Sequence, residues 1–246
     1  MTERVAPELE GYRGMGPVRI GNAAALQNQH DVYGSVILAA SQMFYDARLQ
    51  RVDGRSLFHE LELLGEHAAA LALEPDAGLW EFRGRRGIHT FSSVMCWVAC
   101  GRLAKISGHL GIADRAMHWD QEAKRIREQI LSRAWNAAQS TLVDALDGTE
   151  VDASLLLLNE VGFLTADDPR FLGTLAAIEQ KLKRGTLLFR YGRPDDFGPP
   201  QTAFTVCTFW YIDALAAAGR REEARVLFEQ MLAHRNHLGL LSQVVK

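Results

Sequence analysis

The feature that most constrains this chain is an alternation between two kinds of helical segment. "TFSSVMCWVACGRLAKI" (90–106) is apolar on nearly every side in its first half, and "TAFTVCTFWYIDALAAA" (202–218) for almost its whole length. A helix that is hydrophobic all round is a buried one. Between these run amphipathic segments. "ADRAMHWDQEAKRIREQILSRAW" (113–135) sets a charged face against an apolar stripe through Met117, Ile126, Ile130 and Leu131, and "REEARVLFEQML" (221–232) has the same character. The periodicity predicts helices over 23–46, 56–73, 90–107, 112–135, 151–162, 169–184, 202–218 and 221–235. Only "TLLFRYG" (186–192) reads as a short strand. Buried and half-exposed helices in strict alternation predict two layers, each inner helix paired to an outer one: an all-α fold of about four inner/outer helix pairs.

The connections differ as much as the helices do. Those entering inner helices are long and rich in Gly, Arg and aromatics: "GYRGMGPVRIGN" (11–22), "PDAGLWEFRGRRGIH" (75–89), "NAAQSTLVDALDGTE" (136–150) and "GTLLFRYGRPDDFGPPQ" (185–201), with "HRNHLGLLSQ" (234–243) after the last outer helix. The return connections, such as "SGHLGI" and "AGRR", are short. In antiparallel pairs all the long loops fall on one rim, where a rigid scaffold usually carries its chemistry.

Several function classes fall away on bulk grounds. A net charge of −3 gives no basic field for nucleic acid. No apolar run reaches the roughly 20 residues of a membrane span, and "MTERVAPELE" lacks the apolar stretch of a secretion signal. Three cysteines, Cys96, Cys100 and Cys207, make no disulfide framework and fit a reducing cytoplasm. There is no HExxH, paired CxxC or P-loop, and His234 and His237 lack a third metal ligand nearby. A helical-repeat scaffold would need a fixed period near about 34 residues, which the unequal loops do not keep.

On the rim, Glu81 lies between two aromatics in Leu79-Trp80-Glu81-Phe82. An apolar setting disfavours the ionised carboxylate and suits a general acid; equally, Glu81 could pair with Arg83, Arg85 or Arg86. "RYGRPDDFGPP" offers Arg190, Tyr191 and Arg193 for bidentate contacts to a polar ligand, or a turn made by Asp195 and Asp196. The glycines of "GYRGMGPVRIGN" follow no strand, so a dinucleotide loop is a weak reading beside a rigid loop with Asn22 as helix cap. Cys96 and Cys100 read as small core residues. Among Phe204, Phe209, Trp210 and Tyr211, mostly core by type, Phe204 stands nearest the loop and is the one expected to reach a pocket.

Taken together, "GYRGMGPVRIGNAA", "DVYG", "GLWEFRGRRGIHTFSSVMCWVA", "RYGRPDDFGPPQTAFTVCTFWYIDALAAAGR" and "HRNHLGLLS" resemble the bacterial branch of glycoside hydrolase family 15, which holds glucoamylases, glucodextranases and some trehalases. The resemblance covers nearly the whole chain. It implies an (α/α)6 toroid of six inner and six outer helices. It also implies inverting hydrolysis at the non-reducing ends of α-glucoside oligosaccharides or disaccharides, with no metal or cofactor for the chemical step. By the same resemblance Glu81 is the general acid, Trp80 lines the glucosyl pocket, and Arg190, beside Tyr191, bonds sugar hydroxyls. Tyr12, Arg13 and Asn22 lie in a block that faces that pocket.

Two departures qualify this expectation. Inversion needs a second carboxylate, about 6.5–9.5 Å from the first, to activate water. The family's block resembles Leu-Leu-Ser-Glu, whereas this chain reads Leu240-Leu241-Ser242-Gln243, and an amide cannot accept that proton. Four helix pairs also fall short of six. Residues 1–246 are therefore expected to form a single domain equivalent to the later part of the toroid, without its early helices and its C-terminal end. The open arc would expose apolar inner-helix surface, which a complementing chain or a homo-oligomer would cover.

Overall fold

A computed structural model describes residues 1–49, 53–82, 84–195 and 198–245. Eight α-helices appear among them: α1 (Asp31–Tyr45), α2 (Gly54–Leu71), α3 (Thr90–His109), α4 (Ala113–Ala134), α5 (Leu157–Glu160), α6 (Pro169–Leu182), α7 (Thr205–Ala217) and α8 (Arg221–Leu232). α3 buries residues on every side, Val94, Cys96, Val98, Cys100, Leu103 and Ile106 among them. α7 does the same with Cys207, Tyr211, Ile212 and Leu215. α2, α4, α6 and α8 each bury one stripe. The inner–outer alternation is thus the fold's organising feature.

Local chemistry sets the helix ends. Asp53 caps α2 by accepting the Arg55 N–H, and Asp168 caps α6, whose first residue is Pro169, by accepting the Arg170 N–H. In α4 the buried stripe is Trp119, Ala123, Ile126, Ile130 and Ala134. Met117, expected in that stripe, is 63% exposed. It lies nine residues from Ile126, half a revolution away at 3.6 residues per turn, whereas Trp119 is seven away and in line. α1 and α3 approach closely at Gly34, where a Cβ would sit 2.1 Å from the Met95 carbonyl oxygen. On its other side α1 leaves Val32 and Val36 exposed.

Some boundaries moved. The first helix starts at residue 31 rather than 23; residues 23–26 form a 3-10 turn and Gln27 is extended. The backbone and side chains of 27–30 are taken up by the loop opposite: Asn28 O accepts the Ala77 N–H, and the His30 N–H donates to Asp76 Oδ2 at 2.9 Å. The fifth helix is a 3-10 turn (Ala153–Leu156) running into the single turn of α5. Leu187–Leu188, in the predicted strand, pairs antiparallel with Lys183–Arg184, which ends α6 at residue 182.

From residue 75 onward, consecutive long loops and the residues flanking them are stitched by main-chain bonds. Thr90 N donates to Asp144 O and Leu146 N to Ile88 O, joining 75–89 to 136–150. Asp152 bridges Tyr191, and Ala153 N donates to Arg190 O at 2.8 Å, joining the next pair. Ala203–Phe204 pairs with Val244–Val245, joining the last.

Candidate active site

The site grows from Trp80, held half-buried in the loop before α3. Its ring meets Tyr191 at 6.1 Å, Phe204 at 6.4 Å and Trp210 at 6.0 Å between centroids, each at a steep or tilted angle, the offset geometry aromatic pairs favour. The 185–201 loop and the first turns of α7 therefore converge on one indole. Its N–H donates to Asp152 Oδ2 at 2.7 Å. Phe82 is buried beneath, 5.0 Å from the Tyr191 ring, with the Arg193 guanidinium 4.7 Å above its own ring.

Glu81 takes a left-handed conformation, φ 53°, uncommon for a residue with a Cβ. That turn sends Trp80 and Phe82 toward the interior and leaves Glu81 exposed. The carboxylate is therefore exposed, not enclosed by its aromatic neighbours, one of the two settings its sequence allowed. Its main chain is fixed, because Gln27 Nε2 donates to the carbonyls of Glu81 and Phe82 at 3.1 and 3.2 Å. Of the arginines named with it, Arg85 donates to Pro194 O at 3.2 Å. Arg83 and Asp196 lie outside the described residues. A hollow of about 400 Å³ next to this loop is lined by Leu26, Gln27, Ala77, Phe82, Gly84, Arg85 and Arg86, within the size range of ligand pockets.

Arg190 lies over the Tyr191 ring, 4.8 Å from its centroid, and reaches Asp195 Oδ2 at 3.3 Å. The Tyr191 hydroxyl donates to the same oxygen at 2.6 Å, and Asp195 bridges Gly198 in a turn. The turn expected at Asp195 is thus present, and Arg190 is held against it. Behind the loop lies a buried polar layer. Ser92 Oγ and the His30 N–H both donate to Asp76, and Arg193 pairs with Asp144 at 2.8 Å. Burial, then the neighbouring Asp76 charge, pushes the Asp31 carboxyl up to about 6. Burial likewise raises Asp144, against the pull of Arg193.

Other expected residues are placed less centrally. Tyr12 is 72% exposed, with Arg13 over its ring. Asn22 accepts the Ala24 N–H at 3.0 Å and so caps the 3-10 turn rather than α1. None of the three has a described contact with the Trp80 cluster. Phe204 does reach the cluster; so does Trp210, which its residue type had placed in the core. Gln243 is exposed, its carbonyl accepting the Thr205 N–H at 2.9 Å, one residue from the Val244–Phe204 pairing. Cys96, Cys100 and Cys207 are buried and free, their thiols raised by burial. No helix among the described residues is long and apolar enough to cross a membrane. Asp152, Gln27 and Asp76 were not singled out in the sequence. The Asp152-x-Ser154 capping pattern was the one local signal for the first.

The sequence model of glycosyl hydrolases family 15 matches residues 2–243. A trehalase of Thermoplasma volcanium is 34% identical over 246 residues, covering 100% of this chain and 39% of that protein. A trehalase of Mycobacterium tuberculosis is 33% identical, covering 100% and 36% respectively. The chain thus spans about two fifths of the length of these curated relatives. A glycosidase solved in complex with glucose superposes with a TM-score of 0.74 at 20% identity, over 94% of this chain and 62% of that one. A bacterial glucoamylase complexed with acarbose does so with a TM-score of 0.68 at 16% identity, over 87% and 36%. At those identities the structures speak for the fold, a partial (α/α)6 toroid.

Proposed function

This chain belongs to glycosyl hydrolases family 15, and from that premise we propose that it acts on α-glucosides as an inverting, exo-acting hydrolase whose general acid is Glu81. The observation that carries the reading is the convergence on Trp80 of Tyr191, Phe204 and Trp210, with the exposed Glu81 next to it in the chain. Aromatic faces receive the apolar faces of a sugar ring; Arg190 supplies hydrogen-bond donors for its hydroxyls. Glu81 then protonates the glycosidic oxygen as the bond to the anomeric carbon breaks, and a water adds from the opposite face. The relatives' names point to trehalose as the first disaccharide to test.

The water must lose a proton, and Gln243 stands where the family resemblance puts the base that would take it. General-base catalysis supplies about 10²–10⁴ in rate, so the chain as it stands binds an α-glucoside and turns it over slowly. Glucose release from trehalose, maltose, isomaltose and panose tests this. Glu81→Gln should remove the residual release, and Gln243→Glu should raise it by about 10²–10⁴. Release that is unchanged in Glu81→Gln would refute the assignment of the acid. A Gln243→Glu protein that binds sugar without faster turnover would favour the second reading, a carbohydrate-binding arc whose chemistry belongs elsewhere.

A further inference from the structure

One buried carboxylate touches three blocks of the rim. Asp152 is 3% exposed. Its Oδ1 accepts the Ser154 N–H at 2.9 Å and the Ser154 hydroxyl, capping the turn at 153–156. Its Oδ2 accepts the Trp80 indole N–H at 2.7 Å, across 72 residues of sequence. Its main chain bridges Tyr191, and the next N–H donates to Arg190 O.

The cap alone does not require a carboxylate, since Ser, Thr and Asn cap equally well. A buried charge is costly unless donors surround it, so the acid here needs a further reason. Trp80 provides one. The indole N–H is a donor only, and a charge-assisted bond is shorter and about twice as strong as a neutral one. It fixes the ring against Tyr191, Phe204 and Trp210 at the angle observed.

We propose that Asp152 is a positioning residue acting through Trp80: its buried carboxylate sets the orientation of the indole, and with it the wall beside which a sugar and the Glu81 carboxyl are held. The sugar half of this statement rests on the function proposed above; the link from Asp152 to Trp80 does not. Burial, and then the Asp144 charge, push the Asp152 carboxyl up to about 7, against the pull of Ser154 and Trp80. Protonation replaces an acceptor with a poorer one, so the hold on the indole weakens below neutral pH.

The test uses the full chain with 15N-labelled tryptophan, the Trp80 indole resonance being identified by its loss in Trp80→Phe. In the unaltered protein that resonance should move with a midpoint near pH 7, and in Asp152→Asn it should be displaced and no longer titrate. A Trp80 resonance that is the same in both proteins overturns the proposal. Acarbose affinity gives the second readout. Asp152→Asn should weaken binding about 10-fold, a neutral bond replacing a charge-assisted one, but less than about 2-fold in a Trp80→Phe background. Equal losses in both backgrounds overturn the proposal. Should Asp152→Asn not fold, Trp80→Phe alone decides, because it removes the N–H, keeps a ring and leaves Asp152 intact; unchanged acarbose affinity there counts against the proposal. If the unaltered chain binds no acarbose while its Trp80 resonance titrates, the positioning link stands and the functional reading fails.

Discussion

Two rim segments, both rich in glycine and arginine, ended in different circumstances. The 75–89 loop is tied on both sides. Gln27, Asn28 and His30 hold it from below, Asp152 holds its indole, and Thr90 runs from it directly into the fully buried α3. The 11–22 loop is anchored to its own neighbourhood: Arg19–Ile20 pairs with Arg4–Val5, Arg19 bonds Glu3, and Tyr12 and Arg13 meet each other. Residue types that suit sugar binding are present in both. What separates them is whether an inner helix and a buried polar partner fix the side chains, the preorganisation that makes a site.

Substitutions in the two regions should part most widely in ligand affinity. Trp80→Ala removes the ring on which three others lean and should weaken acarbose binding by about 100-fold, in line with an aromatic hot spot; Tyr12→Ala should change it by less than about 2-fold. Isothermal titration of both variants gives the comparison, and a large loss in Tyr12→Ala would show that the outer loop closes onto the site.

Stability should part the regions next. At Gly34 a methyl would press on the Met95 carbonyl, so Gly34→Ala should cost about 1–3 kcal/mol in urea unfolding. Asn22→Ala, which removes a cap from an exposed turn, should cost about 0.5–1 kcal/mol at most.

The pH dependence has a definite sign. Burial raises the Asp31 carboxyl to about 6 in the folded chain, against an ordinary 3.8. Between those values the folded state binds the extra proton, so this residue's contribution to stability falls as pH rises through the window and is constant outside it. Asp31→Asn should therefore raise the melting temperature at pH 7.5 relative to the unaltered protein and have little effect near pH 4. A gain that is the same at both pH values would mean that ionisation of Asp31 is not what matters.

Much of the fold was legible in the residues. The all-round apolarity of 90–106 and 202–218 leaves burial as the only stable placement, and the amphipathic segments between them fix the pairing. The order of helices then put the long loops on one rim. Trp80 and Glu81 could be picked out as a carboxylate flanked by aromatics, Arg190 and Tyr191 as donors in a loop, and Phe204 as the aromatic of its helix nearest a loop. Met117 was misplaced because helical phase accumulates over nine residues, and a short apolar list does not record it. Residues 23–30 read as helix by propensity, but their polar groups found better partners in the loop at 76–82.

Sequence by itself thus determined what is buried and which segments must neighbour one another, since apolar periodicity is a local property that each helix states for itself. It also fixed the identity of the amide at 243. Only the tertiary structure decided that Trp80 leans on Trp210 as well as Phe204, that Glu81 faces outward at φ 53°, and that Asp152 supplies the acceptor for an indole 72 residues away. Those depend on which donor meets which acceptor once the loops are brought together. Hydrogen bonds between distant residues leave no periodic trace in the chain that makes them.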